Sequence, residues 1–203
     1  MNRALLARST RLLRLPVLLL ASVLLGSCAW LQASKIEQCK AGPPLLPAQS
    51  WAQSFEQTQL LQFSRGDDRQ QFISVVRRDA SGLQMRLLNA LGLELLALEY
   101  RQAAPELRSL APLPDGFDAA LLVADFQLLH WPLRTLQQGW ADSPWQVLQR
   151  GRQRLLSCHG RQISRVDYPV AEGQAIELSN MVAGYRLRVQ PLSVPSPARN
   201  AHD

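Results

Sequence analysis

From Thr58 to Tyr100, and again from Arg154 to Val189, apolar and polar residues alternate with a period of two, and one block of helical spacing separates the stretches. Alternation of this kind puts one face of each strand in a core and the other in solvent, which commits the chain to an antiparallel sheet. Leu61 and Phe63 begin the series, and Gly66-Asp67-Asp68 is a turn. Gln71 to Arg78 is the second strand, turning at Asp79-Ala80-Ser81-Gly82 into a third with Leu83, Met85 and Leu87 on one face. The fourth, Leu93 to Tyr100, is apolar on both faces except for Glu94 and Glu99, which predicts burial on both sides at the centre of a curved sheet.

A proline-rich break from Pro105 to Pro114 ends this run. Phe117, Leu121, Leu122, Phe126 and Leu129 then fall at helical spacing, with Asp115 or Asp118 as the cap. Pro132 stops the helix and opens a second, shorter one, and Trp131, Leu136 and Trp140 give the pair a bulky apolar face. Strands return at Arg154 to Cys158, Gln162 to Tyr168, Gln174 to Leu178 and Ala183 to Val189, the first two joined through His159-Gly160. The pattern is α+β: four strands, a helical pair, then about four strands. The helices are expected as a plug on the concave side of a half-open barrel.

The N-terminus carries a separate instruction. Arg3, Arg8, Arg11 and Arg14 precede an apolar run from Leu15 to Leu25, the layout of a secretory signal. Eleven residues interrupted by Pro16 fall short of the roughly twenty a membrane-spanning helix needs. Leu25-Gly26-Ser27-Cys28 reads as a lipobox, in which small residues enter the peptidase cleft and the Cys28 thiol takes acyl chains. The alternative is an ordinary cleaved signal beside an incidental cysteine. Lipidation would anchor the chain without spanning, since two or three acyl chains hold firmly where one holds marginally. Ala29, in place of an inner-membrane-retaining aspartate, directs it to the outer membrane, facing the periplasm.

The expected organisation is a signal over residues 1–27, a lipidated proline-containing tether over 28–50, a domain over 51–192 and a disordered tail over 193–203. Losing the four arginines of the signal lowers the formal charge from +6 to +2. No basic stripe remains to release counterions from phosphates, so nucleic acid is not an expected partner. Besides Cys28 there are Cys39 and Cys158, which an oxidising compartment would join; two unpaired thiols are the alternative.

The turn Leu88-Asn89-Ala90-Leu91-Gly92, followed by Leu93-Glu94-Leu95-Leu96-Ala97-Leu98, resembles the outer-membrane lipoprotein receptor LolB, where a Thr-Asn-Pro-Leu-Gly turn precedes a Glu-Leu-rich strand. Leu129-His130-Trp131-Pro132-Leu133 is similar to the start of that family's plug helix. More closely, the chain resembles an uncharacterised outer-membrane lipoprotein family of the same LolA/LolB-like half-barrel, often linked with aryl polyene biosynthesis. Ala90 stands where the receptor has proline, and Leu88 where it has threonine.

The resemblance implies an apolar interior that shelters acyl chains. Phe63, Phe72, Val76 and Met85 are its expected lining, with Leu87, Leu95, Phe126 and Trp131. It also implies that Leu91, with Leu93 beside it, forms a tip that enters the membrane. The implied partners are acylated lipoproteins or a specialised lipid such as an aryl polyene, and a periplasmic LolA-like carrier; the chain is expected to be a monomer. Arg65, Arg77 and Arg86 are candidates for an anionic headgroup.

Two other classes compete. A structural or scaffolding lipoprotein would have a filled core. An enzyme would need a base, and only His130, His159 and His202 supply imidazoles. Neighbours on a strand such as Cys158 and His159 point to opposite faces, which separates a thiol from its base. No metal-ligand spacing, phosphate loop or nucleophile elbow is present, and no cofactor is expected.

Overall fold

The computed structural model describes residues 39, 41–51, 53–102, 104–112, 118–171 and 173–192. The signal, Cys28, Phe117 and the tail lie outside the described residues. Residues 1–40 and 41–203 form two separate units, and the second carries the sheet and the helices.

Among the described residues, ten antiparallel strands make one sheet. The first five are β1 (Phe55–Arg65), β2 (Asp68–Asp79), β3 (Gly82–Leu88), β4 (Glu94–Tyr100) and β5 (Glu106–Ser109). The second five are β6 (Trp145–Arg150), β7 (Gln153–Cys158), β8 (Arg161–Asp167), β9 (Ile176–Asn180) and β10 (Tyr185–Pro191). Each set is a meander, and the two join where β1 pairs with β10, giving the order β5-β4-β3-β2-β1-β10-β9-β8-β7-β6. The sheet is not closed, because β5 and β6 are its opposite edges. They are also consecutive in sequence, so the link between them has to travel from one edge to the other. Its helices, α1 (Ala119–His130) and α2 (Leu133–Gly139), lie on that path. Asp118 caps α1 by accepting from the Ala120 and Leu121 amides.

One face of every long strand is buried. Leu83, Met85 and Leu87 of β3 continue into Leu96, Leu98 and Tyr100 of β4 on one side, and into Val76 of β2 and Leu61 of β1 on the other. Leu178, Leu187 and Val189 carry the same layer into the second meander, where Val166 and Leu156 extend it.

Three expectations are corrected. β4 is buried on one face only: Leu95 and Ala97 are half-buried and Glu99 is exposed, and the strand lies next to an edge while β1 and β10 hold the centre. The proline-rich break contains β5, whose four residues are all exposed. It was invisible to alternation because an edge strand without a buried face has nothing to alternate. β6 was also missed, although Trp145 and Val147 alternate inward.

Residues 41–50, expected as tether, pack against the domain. Leu46 and Ala48 are buried. Tyr100 and the Gln127 amide donate to the Leu46 carbonyl, and Gln127 Oε1 accepts from the Leu46 amide. The buried Arg78 guanidinium donates through Nε and Nη2 to the Ala48 carbonyl, so this segment is held by charge-assisted bonds as well as apolar contact.

Candidate functional site

The inward residues of β1 and β2 stop being fully buried toward the β1–β2 turn, and there the face opens into a cavity of about 680 Å³. Phe63 and Phe72 line it from β1 and β2, Leu87 and Leu95 from β3 and β4, and Leu121 and Leu122 from α1. This volume falls in the range of small-molecule sites, roughly 300–1,000 Å³. Of the expected lining, Phe63, Phe72, Leu87 and Leu95 face the cavity. Val76, Met85, Phe126 and Trp131 do not: they are solid core. Phe126 and Trp131 belong to an aromatic cluster at the far end of α1, where Trp51 packs tilted against Trp131 at 5.3 Å and Phe55 tilted against the His130 ring at 5.0 Å.

The β3–β4 connection stands beside this opening. Asn89 holds it: the side-chain oxygen accepts from the amides of Leu91 at 2.9 Å and Leu93 at 3.0 Å, and the Asn89 backbone bonds both Leu93 and Gly92. Gly92 takes φ 79°, a left-handed conformation that glycine adopts without steric cost. The turn therefore forms without the receptor's proline. These bonds stay within the turn, and its leucines are exposed, Leu91 by 84% and Leu93 by 61%. Leu110, 54% exposed, follows β5 and bonds the Leu95 carbonyl, and the next residues, Ala111 and Pro112, line the cavity. Three exposed leucines thus lie within four residues of ones that line the apolar cavity.

Polar groups gather at one end of it. Arg65 lies in register opposite both Tyr185 and Asp68, and all three line the cavity with Asp125. Asp125 is fully buried on α1 and accepts a short hydrogen bond from the Tyr185 hydroxyl, which in turn accepts from Asn180 at 3.5 Å. Burial pushes the Asp125 carboxyl up to about 7, a rise partly offset by the Tyr185 bond. Burial and the adjacent carboxylate both raise the Tyr185 phenol. The sequence reading passed over Asp125, yet a signal existed. It falls three residues after Leu122 and four before Leu129, an acid on the apolar stripe of its helix.

Arg77 and Arg86 are placed elsewhere, exposed and paired with Asp79 at 2.9 Å and Glu94 at 3.7 Å. His130 Nε2 is buried without a hydrogen-bond partner among the described residues, and burial lowers its pKa to about 4. Cys39 and Cys158 are each disulfide-bonded. Among the described residues, no cluster of His, Cys, Asp and Glu is set to hold a metal, and no helix is long and apolar enough to cross a membrane.

Residues 56–193 match the family model described as a protein of unknown function, DUF3261. The chain belongs to the DUF3261 family. The matched range runs from the start of β1 to just beyond β10, so the DUF3261 unit is the whole sheet with its helices. The comparison with curated proteins gives no match.

Proposed function

We propose that this chain is a lipid-anchored outer-membrane lipoprotein that shelters acyl chains and hands them to the bilayer. The observation that carries the reading is the apolar cavity together with the exposed Leu91, Leu93 and Leu110 in the segments next to its lining. Exposed leucines are costly in water, and each side chain fully buried in a membrane interface returns about 1.5–3 kcal/mol. With acylated Cys28 holding the domain near the bilayer, those leucines would dock the cavity mouth on lipid. A tail could then leave without crossing water. This is the LolB-like mode: a carrier delivers acylated cargo, the α1–α2 plug yields to it, and the tip releases it, with no covalent chemistry. Two cargoes fit, an acylated lipoprotein or a specialised lipid such as an aryl polyene.

Native mass spectrometry of the protein purified gently from its own envelope tests this. The expected result is a bound lipid or lipoprotein of defined mass, which would name the cargo. An empty protein, under conditions that keep a known lipid carrier loaded, would replace this reading with a scaffolding role.

A further inference from the structure

The cavity is not uniformly apolar, and its polar end has a definite hydrogen-bonding sense. The Tyr185 hydroxyl spends its single hydrogen on Asp125. With the carboxyl ionised, as at pH 8, what this pair offers a ligand is therefore acceptors: carboxyl oxygens and a phenol lone pair. The charges lining the cavity lean the same way, since among the described residues Arg65 is the one cation against Asp68, Asp118 and Asp125. Arg65 is moreover met by Asp68 in the strand register. An anionic head placed here would face carboxyl groups in a low-dielectric site, where like charges repel strongly. A hydroxyl, amide or ammonium group would give Asp125 the donors that a buried carboxyl requires.

We propose that Asp125, positioned by Tyr185, is a headgroup-selecting residue that favours long-chain amphiphiles whose polar end donates hydrogen bonds and carries no negative charge. This rests on the acyl-binding reading and names the ligand class for the same cavity. The tail lies along Phe63, Phe72 and the leucines of β3, β4 and α1, and the head meets Asp125. Arg65, expected from the sequence as an anion contact, lines the same cavity beside these acids.

The test uses the full lipidated chain in amphipol at pH 8, with a fluorescent acyl probe displaced by ligands of one chain length and different heads. These are hexadecanol, hexadecylamine, hexadecanoate and hexadecyl phosphate. Wild type should take the alcohol and the amine at least about tenfold more tightly than the two anions. Asp125→Asn converts one acceptor into a donor, and Asp125→Leu replaces the acid with an apolar side chain of similar size. Either should bring all four ligands within about threefold while the probe still binds, and the pair guards against one variant failing to fold. Equal binding of all four heads by wild type would overturn the proposal, as would a preference that survives in both variants. Failure of wild type to bind the probe at all would sink the acyl-binding reading and this inference with it.

Discussion

Asp125 and His130 lie on the same helix and pull the pH dependence of stability in opposite directions. The Asp125 carboxyl is moved from an ordinary 3.8 to about 7 by burial. Above pH 3.8 the unfolded chain releases a proton that the folded one keeps, so stability is complete below that pH and falls as pH rises through about 7. The full displacement corresponds to roughly 4 kcal/mol. His130 is the reverse case. Burial, then the charge of Arg154, lowers it from 6.5 to about 4. Stability is complete above 6.5 and is lost as pH falls through about 4, by roughly 3 kcal/mol. Between pH 4 and 6.5 the two slopes, each about 1.4 kcal/mol per pH unit, cancel.

Wild type should therefore show a nearly flat unfolding free energy over that window. Asp125→Asn removes the falling limb and exposes the rising one, so its stability should climb by roughly 3 kcal/mol from pH 4 to 6.5. Above pH 7 it should exceed wild type, by up to about 4 kcal/mol less about 1 for the altered bond to Tyr185. His130→Gln should fall across the same window. Urea titrations followed by tryptophan fluorescence, repeated at steps of pH, read this directly, and the five tryptophans make the signal strong. Parallel profiles for wild type and Asp125→Asn would refute the assignment of the falling limb to Asp125.

Arg154→Met should cost about 3 kcal/mol in urea unfolding with an unchanged denaturant slope. The guanidinium donates to the Leu128 and Trp131 carbonyls at 2.7 and 2.9 Å and stands 5.3 Å over the Tyr168 ring, and methionine leaves those helix-end carbonyls short of donors. Leu91→Glu should leave the unfolding midpoint in place, because the side chain is almost wholly in water, yet slow release of bound acyl cargo to liposomes several-fold. Release at the wild-type rate would exclude the tip from transfer.

Much of the sheet was legible because inward apolar residues and turn chemistry agreed. Gly66, Gly82, Gly160 and Gly184 all sit at strand connections with positive φ, and the strands between them alternate as the core requires. The helical pair was equally plain: Asp118 caps, Pro132 breaks, and Leu136 and Trp140 face inward. What escaped was structure without a period of its own. β5 contributes backbone pairing to β4 and no buried side chain. The 41–50 segment binds through its carbonyls, which receive bonds from Arg78, Tyr100, Gln127 and Trp140, and a donor 30 to 96 residues away leaves no local mark.

The cavity follows from a mismatch of dimensions. Ten strands spaced about 4.8 Å apart would make a flat sheet about 43 Å wide. α1 has 12 residues and α2 has 7, which give about 18 and 10 Å of helix. The helices cannot cover such a face. The 41–51 segment and the aromatic cluster of Trp51, Phe55, Phe126 and Trp131 fill part of the remainder, beside the far end of α1. Toward the β1–β2 turn nothing comparable is supplied among the described residues, and there Phe63 and Phe72 are left half-buried. A sequence shows which residues point inward. It does not show whether enough mass is available to meet them, so four of the eight expected lining residues proved to be core and the acid between them was overlooked. Filling the gap from α1, for example by Leu122→Trp, should raise stability if the space is merely empty, and should abolish probe binding if the space is the ligand's.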